Sequence, residues 1–333
     1  MNIIEETLIR NLEKFDLIDK KLVIGFSGGG DSTSLIIALN ELKNLDYQLN
    51  FEAFHVNYGI RKDSDKDQKF VENICNKLNI NLTIHNLRDQ KLIPSSESEE
   101  SLRNIRYNII SSHIIKTESY CLITAHNLND HVETFLMKLT RGAGLKGMEG
   151  LKYFSVINKF KSLKIFRPFI EIKKKYLYDY CISKNIKPIN DISNKDNKYT
   201  RNRIRNNVIP ELEKLNPDFL NTINRLTYLA SEINSYQNKL IEKKYPKLKL
   251  IENKNEISFD RLKFNLLEDI EKKLLLKTKC ESFSSSIFME KKHLDIVVNK
   301  CLSQSNEFSL DMPGKIIIKA NKDNIIIKNL VTE

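Results

Sequence analysis

Three consecutive glycines between a strand-like run and a helical run constrain this chain more than any other feature. Residues 22–26 are apolar and rich in β-branched side chains, which predicts a buried strand, and residues 34–39 supply the apolar face of a following helix. Glycine has no Cβ atom, so the backbone between these elements can adopt positive φ and approach a ligand closely. Backbone N–H groups at the start of a helix favour an anion, and a phosphate chain is the expected ligand.

The spacing of this glycine loop separates it from two common nucleotide-binding motifs. No Gly-Lys-Ser/Thr sequence follows the glycines, so the Walker A lysine is missing, and the G-x-G-x-x-G spacing is absent. The pattern Ser-Gly-Gly-x-Asp-Ser instead resembles the pyrophosphate loop of the ATP pyrophosphatases, which split ATP into AMP and pyrophosphate while adenylating a substrate. This resemblance implies that Asp31 helps to bind Mg²⁺ and that pyrophosphate is held by Ser27, Gly28, Gly29, Gly30, Ser32 and Thr33. A βα turn that binds nothing is the alternative, although three adjacent glycines are a costly choice for a plain turn.

Length and composition favour a two-domain protein that binds an anionic partner. The chain has 333 residues, 41% of them hydrophobic, and a formal net charge of +11. This charge suits RNA, but lysine, asparagine and isoleucine are abundant throughout, so clustering of charge is the stronger signal. No leading apolar run or membrane-length stretch is present, and we expect a soluble cytoplasmic protein. The five cysteines are widely spread without a C-x-x-C pair, which predicts reduced, mostly buried thiols.

Strands alternating with helical segments predict an α/β fold with a parallel sheet. Further strands are expected at residues 51–57, 81–87 and 120–125, after a first helix at residues 2–15. In such sheets ligands lie beyond the carboxyl ends of the strands, which is where Ser27, His55 and His126 are expected.

The helix predicted to begin near His126 carries charge on one face. His126, Asp130, Glu133 and Thr134 are spaced by four, three and one residues, and an apolar stripe is formed by Val132, Phe135, Leu136 and Leu139. The H-E-x-x-H zinc pattern is absent. A site that receives a cation or polarises a nucleophile fits this face better than a structural metal. In a preceding helix, Arg103, Arg106 and Tyr107 also share a face, for which exposed ion pairing is the simplest interpretation.

Six blocks in this order resemble the tRNA(Ile)-lysidine synthetase family, from about residue 21 to residue 215. They read SGGGDS, HVNYGIR, EESLRNIRY, TAHxxxDHxET with RGAG, RPF, and DISN through RNRIR and VIP. Two positions depart from the family pattern: Tyr58 stands where a histidine is usual, and Asn129 where the first aspartate of a pair is usual. The second departure implies that Asp130 carries the charge alone.

The resemblance implies an ATP-dependent ligase that joins L-lysine to C2 of the wobble cytidine in the CAU anticodon of an isoleucine tRNA. It implies ATP and Mg²⁺ as cofactors, with His55 and His126 near the nucleotide. Asp130 and Glu133 are the candidates to hold the lysine ammonium and assist its deprotonation, and Arg106 to bind the lysine carboxylate or a phosphate. The residues expected to contact tRNA are Arg61, Arg103, Arg141, Lys198, Arg201, Arg203 and Arg205.

Residues 191–205 form the candidate RNA-facing segment, because basic side chains alternate there with asparagines and Tyr199. A solvated basic loop is the alternative, and Arg201 could instead brace the catalytic domain.

The predicted domains are a PP-loop, Rossmann-like catalytic domain at residues 1–215, a helical connector at 216–245 and a small α+β domain at 246–333 that positions tRNA. We expect the connector helix to begin at Asn216 and Pro217. The last domain should contain a strand at residues 249–251, helices at 262–277 and 291–301, and a hairpin at 307–319 followed by a strand at 324–328.

Two other functions remain open. A tRNA thiolase uses the same loop but needs paired or cluster-binding cysteines, which are not suitably spaced here. A non-catalytic RNA-binding protein would explain the charge but would leave the loop and the Asp130/Glu133 stripe without a purpose. The sequence is compatible with a monomer or a homodimer.

Overall fold

The computed structural model describes residues 1–60, 63–88, 98–189, 199–283, 287, 289–303 and 307–330. The chain forms two compact units, Met1–Ser231 and Glu232–Glu333. Among the described residues, no helix combines the length and the apolar character needed to cross a bilayer.

The first unit alternates strands and helices as the sequence predicts. Its elements are α1 Ile3–Lys14, β1 Leu22–Gly25, α2 Gly30–Asn44, β2 Phe51–Asn57, α3 Ser64–Lys77, β3 Leu82–Asn86, α4 Glu99–Lys116, β4 Cys121–Ile123, α5 Leu128–Leu139, β5 Phe154–Ile157, β6 Leu163–Phe166, α6 Lys174–Ser183, α7 Thr200–Arg203, α8 Ile209–Leu215 and the start of α9 Phe219–Lys244. A five-residue π-helical turn, Ile204–Val208, joins α7 to α8.

These strands form a mostly parallel sheet in the order β3-β2-β1-β4-β6-β5. The central strand β1 pairs in parallel with both β2 and β4, so Leu22 lies opposite Phe51 on one side and Cys121 on the other. Only β5 is antiparallel to its neighbour among the described strands of this sheet. The predicted α/β fold is therefore confirmed, and the glycine loop leaves the sheet at the carboxyl end of its central strand.

Apolar side chains cover both faces of the sheet. One cluster packs α1, α2 and α6 against residues such as Leu22 and Ile24, and a second packs α4 against Val23 and Leu122. A third cluster joins α5 to α8 and the start of α9. Leu139, which we expected in the apolar stripe of α5, is 44% exposed because α5 ends at this residue.

The second unit has its own antiparallel sheet and its own core. Its elements after α9 are β7 Ile251–Asn253, β8 Glu256–Asp260, α10 Arg261–Asn265, α11 Asp269–Ser282, α12 Lys291–Leu302, β9 Phe308–Met312, β10 Ile316–Ala320 and β11 Asn324–Asn329. The strand order is β7-β8-β11-β10-β9. Alternate residues of β10 and β11, including Ile316, Ile318, Ile325 and Ile327, are buried against the helices.

Three local predictions were wrong in their boundaries. Helix α9 begins at Phe219, because Asn216 ends α8 and its Oδ1 atom accepts from the backbone N of Asp218 instead of capping a helix at Pro217. The region 262–277 contains two helices, since Asp260 caps α10 and Glu268 caps α11. The strand expected at residues 249–251 lies at Ile251–Asn253.

Candidate active site

The glycine loop joins β1 to α2 and contains one position that admits no side chain. Gly28 has φ +84°, and a Cβ atom there would lie 2.7 Å from Cδ1 of Ile189. At Gly29 a Cβ atom would meet only the Ser27 hydroxyl, at 3.7 Å. The fold thus requires glycine at position 28, whereas glycine at position 29 leaves open space through which a ligand can approach the backbone.

Hydroxyl groups fix the shape of this loop. The Ser27 and Ser32 hydroxyls lie 3.0 Å apart, and Ser32 also donates to the carbonyl of Gly29 at 3.1 Å. Thr33 is fully buried and donates to the carbonyl of Gly28 at 3.1 Å. Ser27 and Ser32 line the adjoining cavity, so their hydroxyls can contact a ligand. Thr33 does not line it and instead stabilises the loop through its hydrogen bond to Gly28.

A cavity of about 230 Å³ lies beside the loop, at the carboxyl ends of the central strands. Its lining residues fall into two chemical groups. The apolar group could take a purine ring and comprises Phe26, Phe54, Val56, Ile110 and Leu122. The polar and charged group could take phosphates and a cationic amine and comprises Ser27, Asp31, Ser32, His55, Tyr58, Arg106, Tyr107, Thr124, His126 and Asp130.

Asp31 occupies the second position of α2, at the edge of the glycine loop. Burial raises the pKa of its carboxyl to about 7, against an opposing effect of Lys174, whose Nζ lies 3.9 Å from Oδ2. The carboxylate of Asp130 adds to the upward shift. The Oδ1 atom is buried and has no hydrogen-bond donor among the described residues. A buried carboxylate with one oxygen that lacks a donor is suited to a divalent cation.

Both predicted nucleotide-binding histidines are neutral. Burial lowers the pKa of His55, and its Nδ1 donates to the carbonyl of Phe26 at 2.8 Å. The pKa of His126 lies well below the usual range, first because of burial and then because four guanidinium groups surround it, those of Arg167, Arg201, Arg106 and Arg103. Nδ1 of His126 lies 2.7 Å from the hydroxyl of Thr124. These rings therefore act as hydrogen-bonding groups and not as cations.

Helix α4 brings Arg103 and Arg106 to the ring of Tyr107. Their guanidinium carbons lie 5.2 Å and 5.5 Å from the ring centroid. Arg106 lines the cavity, whereas Arg103 is exposed. Tyr58 lies beside Arg106, and burial raises its pKa although Arg106 opposes that shift. Tyr58 therefore lines the cavity as a neutral phenol.

The two carboxylates of α5 occupy different environments. Asn127 caps α5 through a reciprocal pair of hydrogen bonds with Asp130, and Asp130 lines the cavity. Glu133 is fully buried, and its two oxygens accept from Arg205 Nε at 2.6 Å and from Arg201 Nε at 2.8 Å. The same arginines reach Oδ1 of Asp130 at 3.4 Å and 3.6 Å. Asp130 can therefore meet a ligand directly, whereas Glu133 holds the arginines that flank Asp130.

The remaining predicted residues are dispersed. Arg141 and Arg203 are exposed, while Arg61 and Lys198 lie outside the described residues. Asn129 does not line the cavity, and its Oδ1 accepts from the backbone N of Lys174 at 3.0 Å.

Sequence reasoning gave no site role to the apolar lining of the cavity, to three of its polar residues or to one neighbour of the glycine loop. The polar residues are Tyr58, Tyr107, which is 1% exposed, and Thr124. Tyr107 stands beside Arg106 within a family block, which could have signalled its position. Lys174 belongs to a run of lysines with no motif, so only the fold shows that it reaches Asp31. Within the described parts of the chain, no three His, Cys, Asp or Glu side chains are grouped to hold a metal ion.

Comparison with known proteins agrees with this geometry. A family model described as a PP-loop domain matches residues 4–212. The fold resembles the structure of the tRNA thiolase NcsA from Methanococcus maripaludis, with a TM-score of 0.55 and 21% identity over 68% of this chain and 78% of that one. The glycine loop and the fold thus define a PP-loop ATP-binding protein.

Two curated relatives narrow the family further. A tRNA(Ile)-lysidine synthase from Francisella philomiragia subsp. philomiragia is 31% identical and covers 92% of this chain and 73% of that protein. A second, from Clostridioides difficile (strain 630), is 28% identical and covers 97% of this chain and 70% of that protein. The chain belongs to the tRNA(Ile)-lysidine synthase family.

Proposed function

We propose that this protein uses ATP to join L-lysine to C2 of the wobble cytidine in an isoleucine tRNA with a CAU anticodon, forming lysidine. The observation that carries this proposal is that the glycine loop, Arg106 and Asp130 line one cavity. Asp31 already supplies a carboxylate for the metal ion of a nucleotide site. The second carboxylate, Asp130, is therefore available for an amino acid whose amine enters as a cation.

The first chemical step activates the base. The C2 oxygen of cytosine attacks the α-phosphorus of ATP, the bond to the bridging oxygen breaks, and pyrophosphate leaves. Backbone N–H groups of the loop and the hydroxyls of Ser27 and Ser32, which line the cavity, are the candidates to stabilise this departing anion. The base of an anticodon loop can be splayed into such a cavity without opening a duplex.

Asp31 offers an oxygen ligand that fits Mg²⁺. When bound, this ion would neutralise charge on the phosphates.

The second step transfers lysine. An amine of lysine attacks C2, the C2–O bond breaks, and AMP leaves with the original oxygen. The amine must lose a proton first, and Asp130, which lines the cavity, is the candidate to bind the ammonium and to accept that proton. Arg106 is the candidate for the lysine carboxylate or the phosphate of the intermediate. The buried position of Glu133 favours an indirect role, in which it orients Arg201 and Arg205.

The tRNA-contacting residues and the oligomeric state stay predictions. The exposed Arg203 and Arg141 are available for phosphate contacts, whereas Arg201 and Arg205 face carboxylates in this structure. This distribution supports the idea that Arg201 braces the catalytic domain. A homodimer remains compatible with these observations, and a tRNA-modifying enzyme of this kind is expected in the cytoplasm.

The test measures transfer of radiolabelled lysine into tRNA. Purified protein is incubated with ATP, Mg²⁺, labelled lysine and a CAU-anticodon isoleucine transcript, beside a transcript with uridine at the wobble position. An Asp130→Ala variant is compared with Asp179→Ala, which removes an exposed carboxylate on α6. We expect label only in the cytidine transcript, loss of labelling in Asp130→Ala and normal labelling in Asp179→Ala.

Other outcomes would point to the alternatives. ATP cleavage without lysine transfer would keep the PP-loop activity but assign another acceptor. RNA binding with neither activity would favour a non-catalytic binding protein. The thiolase alternative is less supported, because all five cysteines are buried and burial raises the pKa of each thiol to about 12.

A further inference from the structure

The glycine loop has an unusual charge for a site that binds pyrophosphate. It supplies hydroxyls and backbone N–H groups, but it lacks the lysine that a Walker A loop provides, and its one charged residue is the acidic Asp31. Pyrophosphate carries several negative charges when it leaves ATP. A cation at the loop itself, in addition to Arg106 on the cavity wall and to any metal ion, would stabilise this anion.

Helix α2 starts at Gly30, α5 at Leu128 and α6 at Lys174. The starts of α5 and α6 lie together, because the backbone N of Leu128 donates to the carbonyl of Ile172 at 2.9 Å. The last turn of α6 lies against the start of α2, where Sγ of Cys181 contacts the carbonyl of Gly30 at 3.4 Å. The positive end of the α2 dipole lies at Asp31 and the glycine loop, which favours an anion there.

Lys174 adds a side-chain cation at the same point. Its Nζ lies 3.9 Å from Oδ2 of Asp31, and its side chain is 43% exposed. This distance is longer than a hydrogen bond, so the ammonium group is held near the loop without being locked to the carboxylate. Among the described residues, Asp31 is the only carboxylate within 4.0 Å of Nζ.

The position of Lys174 on its helix works against the stability of that helix. A lysine in the first turn of a helix faces the positive end of the dipole, where acidic residues are preferred. Helix α6 has no acidic residue in its first turn; Lys173 is its N-cap, and Lys174 and Lys175 are its first two residues. Local rules of this kind are broken most often at functional sites. Asn129 nevertheless fixes the backbone of Lys174 with a hydrogen bond of 3.0 Å, so this residue is held in place.

We propose that Lys174 binds the pyrophosphate portion of ATP and replaces the lysine that the glycine loop lacks. This inference rests on the proposed use of ATP. In the free protein Lys174 lies against Asp31. When ATP enters, its Nζ moves to a β- or γ-phosphate oxygen and remains there as pyrophosphate departs.

The experiment measures binding of inorganic pyrophosphate and of AMP to the full-length protein by isothermal titration calorimetry at about pH 8. Three variants are compared: Lys174→Gln removes the cation, Lys174→Arg keeps it, and Lys175→Gln removes an exposed lysine from the same helical turn. We expect Lys174→Gln to weaken pyrophosphate binding at least tenfold, with AMP binding changed less than twofold. Lys174→Arg should recover part of the affinity, and Lys175→Gln should match the wild type.

The two ligands separate a phosphate contact from a structural role. If Lys174 served only to support the loop or to keep Asp31 ionised, pyrophosphate and AMP binding would change together or not at all, and the inference would be overturned. Unchanged pyrophosphate binding in Lys174→Gln would refute this inference and leave the proposed function intact. Failure of the wild type to bind pyrophosphate or ATP would instead refute the proposed function.

Discussion

Gly28 and Gly29 are adjacent residues of one loop whose side-chain requirements differ. Gly28 needs positive φ and has Ile189 at 2.7 Å from the site of a Cβ atom, whereas Gly29 has φ −69° and open space. We predict that Gly28→Ala lowers the stability of the fold by about 1–3 kcal/mol. Gly29→Ala should leave stability unchanged but weaken ATP binding at least tenfold, because its methyl group would meet the phosphates.

Thermal unfolding and ATP titration of the two variants test this difference. Gly142→Ala provides a control, since Gly142 has φ +74° but nothing within 4 Å of a Cβ atom. The loss of stability in Gly142→Ala should give the cost of positive φ without a steric clash. Normal ATP binding in Gly29→Ala would contradict the close approach of ligand to this part of the loop.

Asp31 gives the ligand-free protein a pH dependence of its own. Its pKa is raised from 3.8 to about 7, so the folded state keeps the proton while the unfolded state has lost it. Stability therefore falls as pH rises through this window and is lowest above pH 7. We predict that Asp31→Asn raises the melting temperature at about pH 8 by a few degrees, with a smaller gain at about pH 5, and abolishes the Mg²⁺ dependence of ATP binding. A gain that is equal at both pH values would contradict the assigned pKa.

At the scale of elements, Glu133 links α5 to α7 and to the π-helical turn that follows it. The pairs it makes with Arg201 and Arg205 join positions 68 and 72 residues apart in the chain. Removing one partner of a buried ion pair leaves the other charges uncompensated. We predict that Glu133→Gln destabilises the first unit by about 3 kcal/mol and lowers lysine transfer. Glu211→Gln, which breaks an exposed pair with Lys214, should cost about 0–1 kcal/mol. Similar costs for the two variants in urea unfolding would refute the linking role of Glu133.

His131 links α5 to α9 within the same unit. Its Nε2 donates to the hydroxyl of Thr227 at 2.8 Å, and its Nδ1 accepts from the backbone N of Leu151 at 3.1 Å. Burial is the main cause that lowers its pKa from 6.5 to about 4, so the unfolded state takes up a proton first as pH falls. The contribution of the neutral His131 ring to the free energy of unfolding is fully present above pH 6.5, and it is lost as pH falls from 6.5 to about 4. We predict that His131→Gln unfolds at a lower temperature at neutral pH but loses less stability on acidification than the wild type does. If the melting temperatures of the variant and the wild type fell equally with pH, this assignment of the His131 pKa would be contradicted.

Elements with a strong local pattern could be predicted from the sequence, and contacts between distant residues could not. The run before the glycines and the isoleucine runs in β10 and β11 are short apolar segments bounded by turn residues, and their strands formed as expected. The strands β5, β6 and β8 and the helix α6 were not anticipated. The ion pairs of Glu133 and the approach of Lys174 to Asp31 depend on tertiary packing, so no spacing in the sequence could indicate them. The cavity residues that were predicted belong to blocks with a family pattern, and Tyr107 was missed because its aromatic ring is explained equally well by a core position.

At the scale of the whole molecule, we propose that the two units carry different parts of the proposed function. Every residue of the candidate active site lies in Met1–Ser231, and the second unit has a separate core with no described residue in the cavity. Its own integrity depends on Arg261, which is 4% exposed and donates to the carbonyls of Cys301, Ser303 and Asn321. These acceptors close the end of α12 and the turn between β10 and β11. Arg261→Leu should therefore loosen the second unit by about 3 kcal/mol while the first unit is unaffected.

This separation predicts which activity depends on the second unit. We expect removal of residues 246–333 to weaken binding of a CAU-anticodon isoleucine transcript at least tenfold and to change ATP binding less than twofold, because ATP meets only residues of the first unit. Filter binding of the transcript and calorimetric titration of ATP measure the two affinities. Because the deletion exposes Ile241, which is buried in the core of the second unit, Arg261→Leu in the full chain provides a second test. Arg261→Leu should also lower the affinity for tRNA, and this loss should grow as the temperature rises. Unchanged tRNA affinity in both proteins would mean that the first unit alone positions the tRNA, and that its exposed arginines, Arg141 and Arg203 among them, provide the contacts.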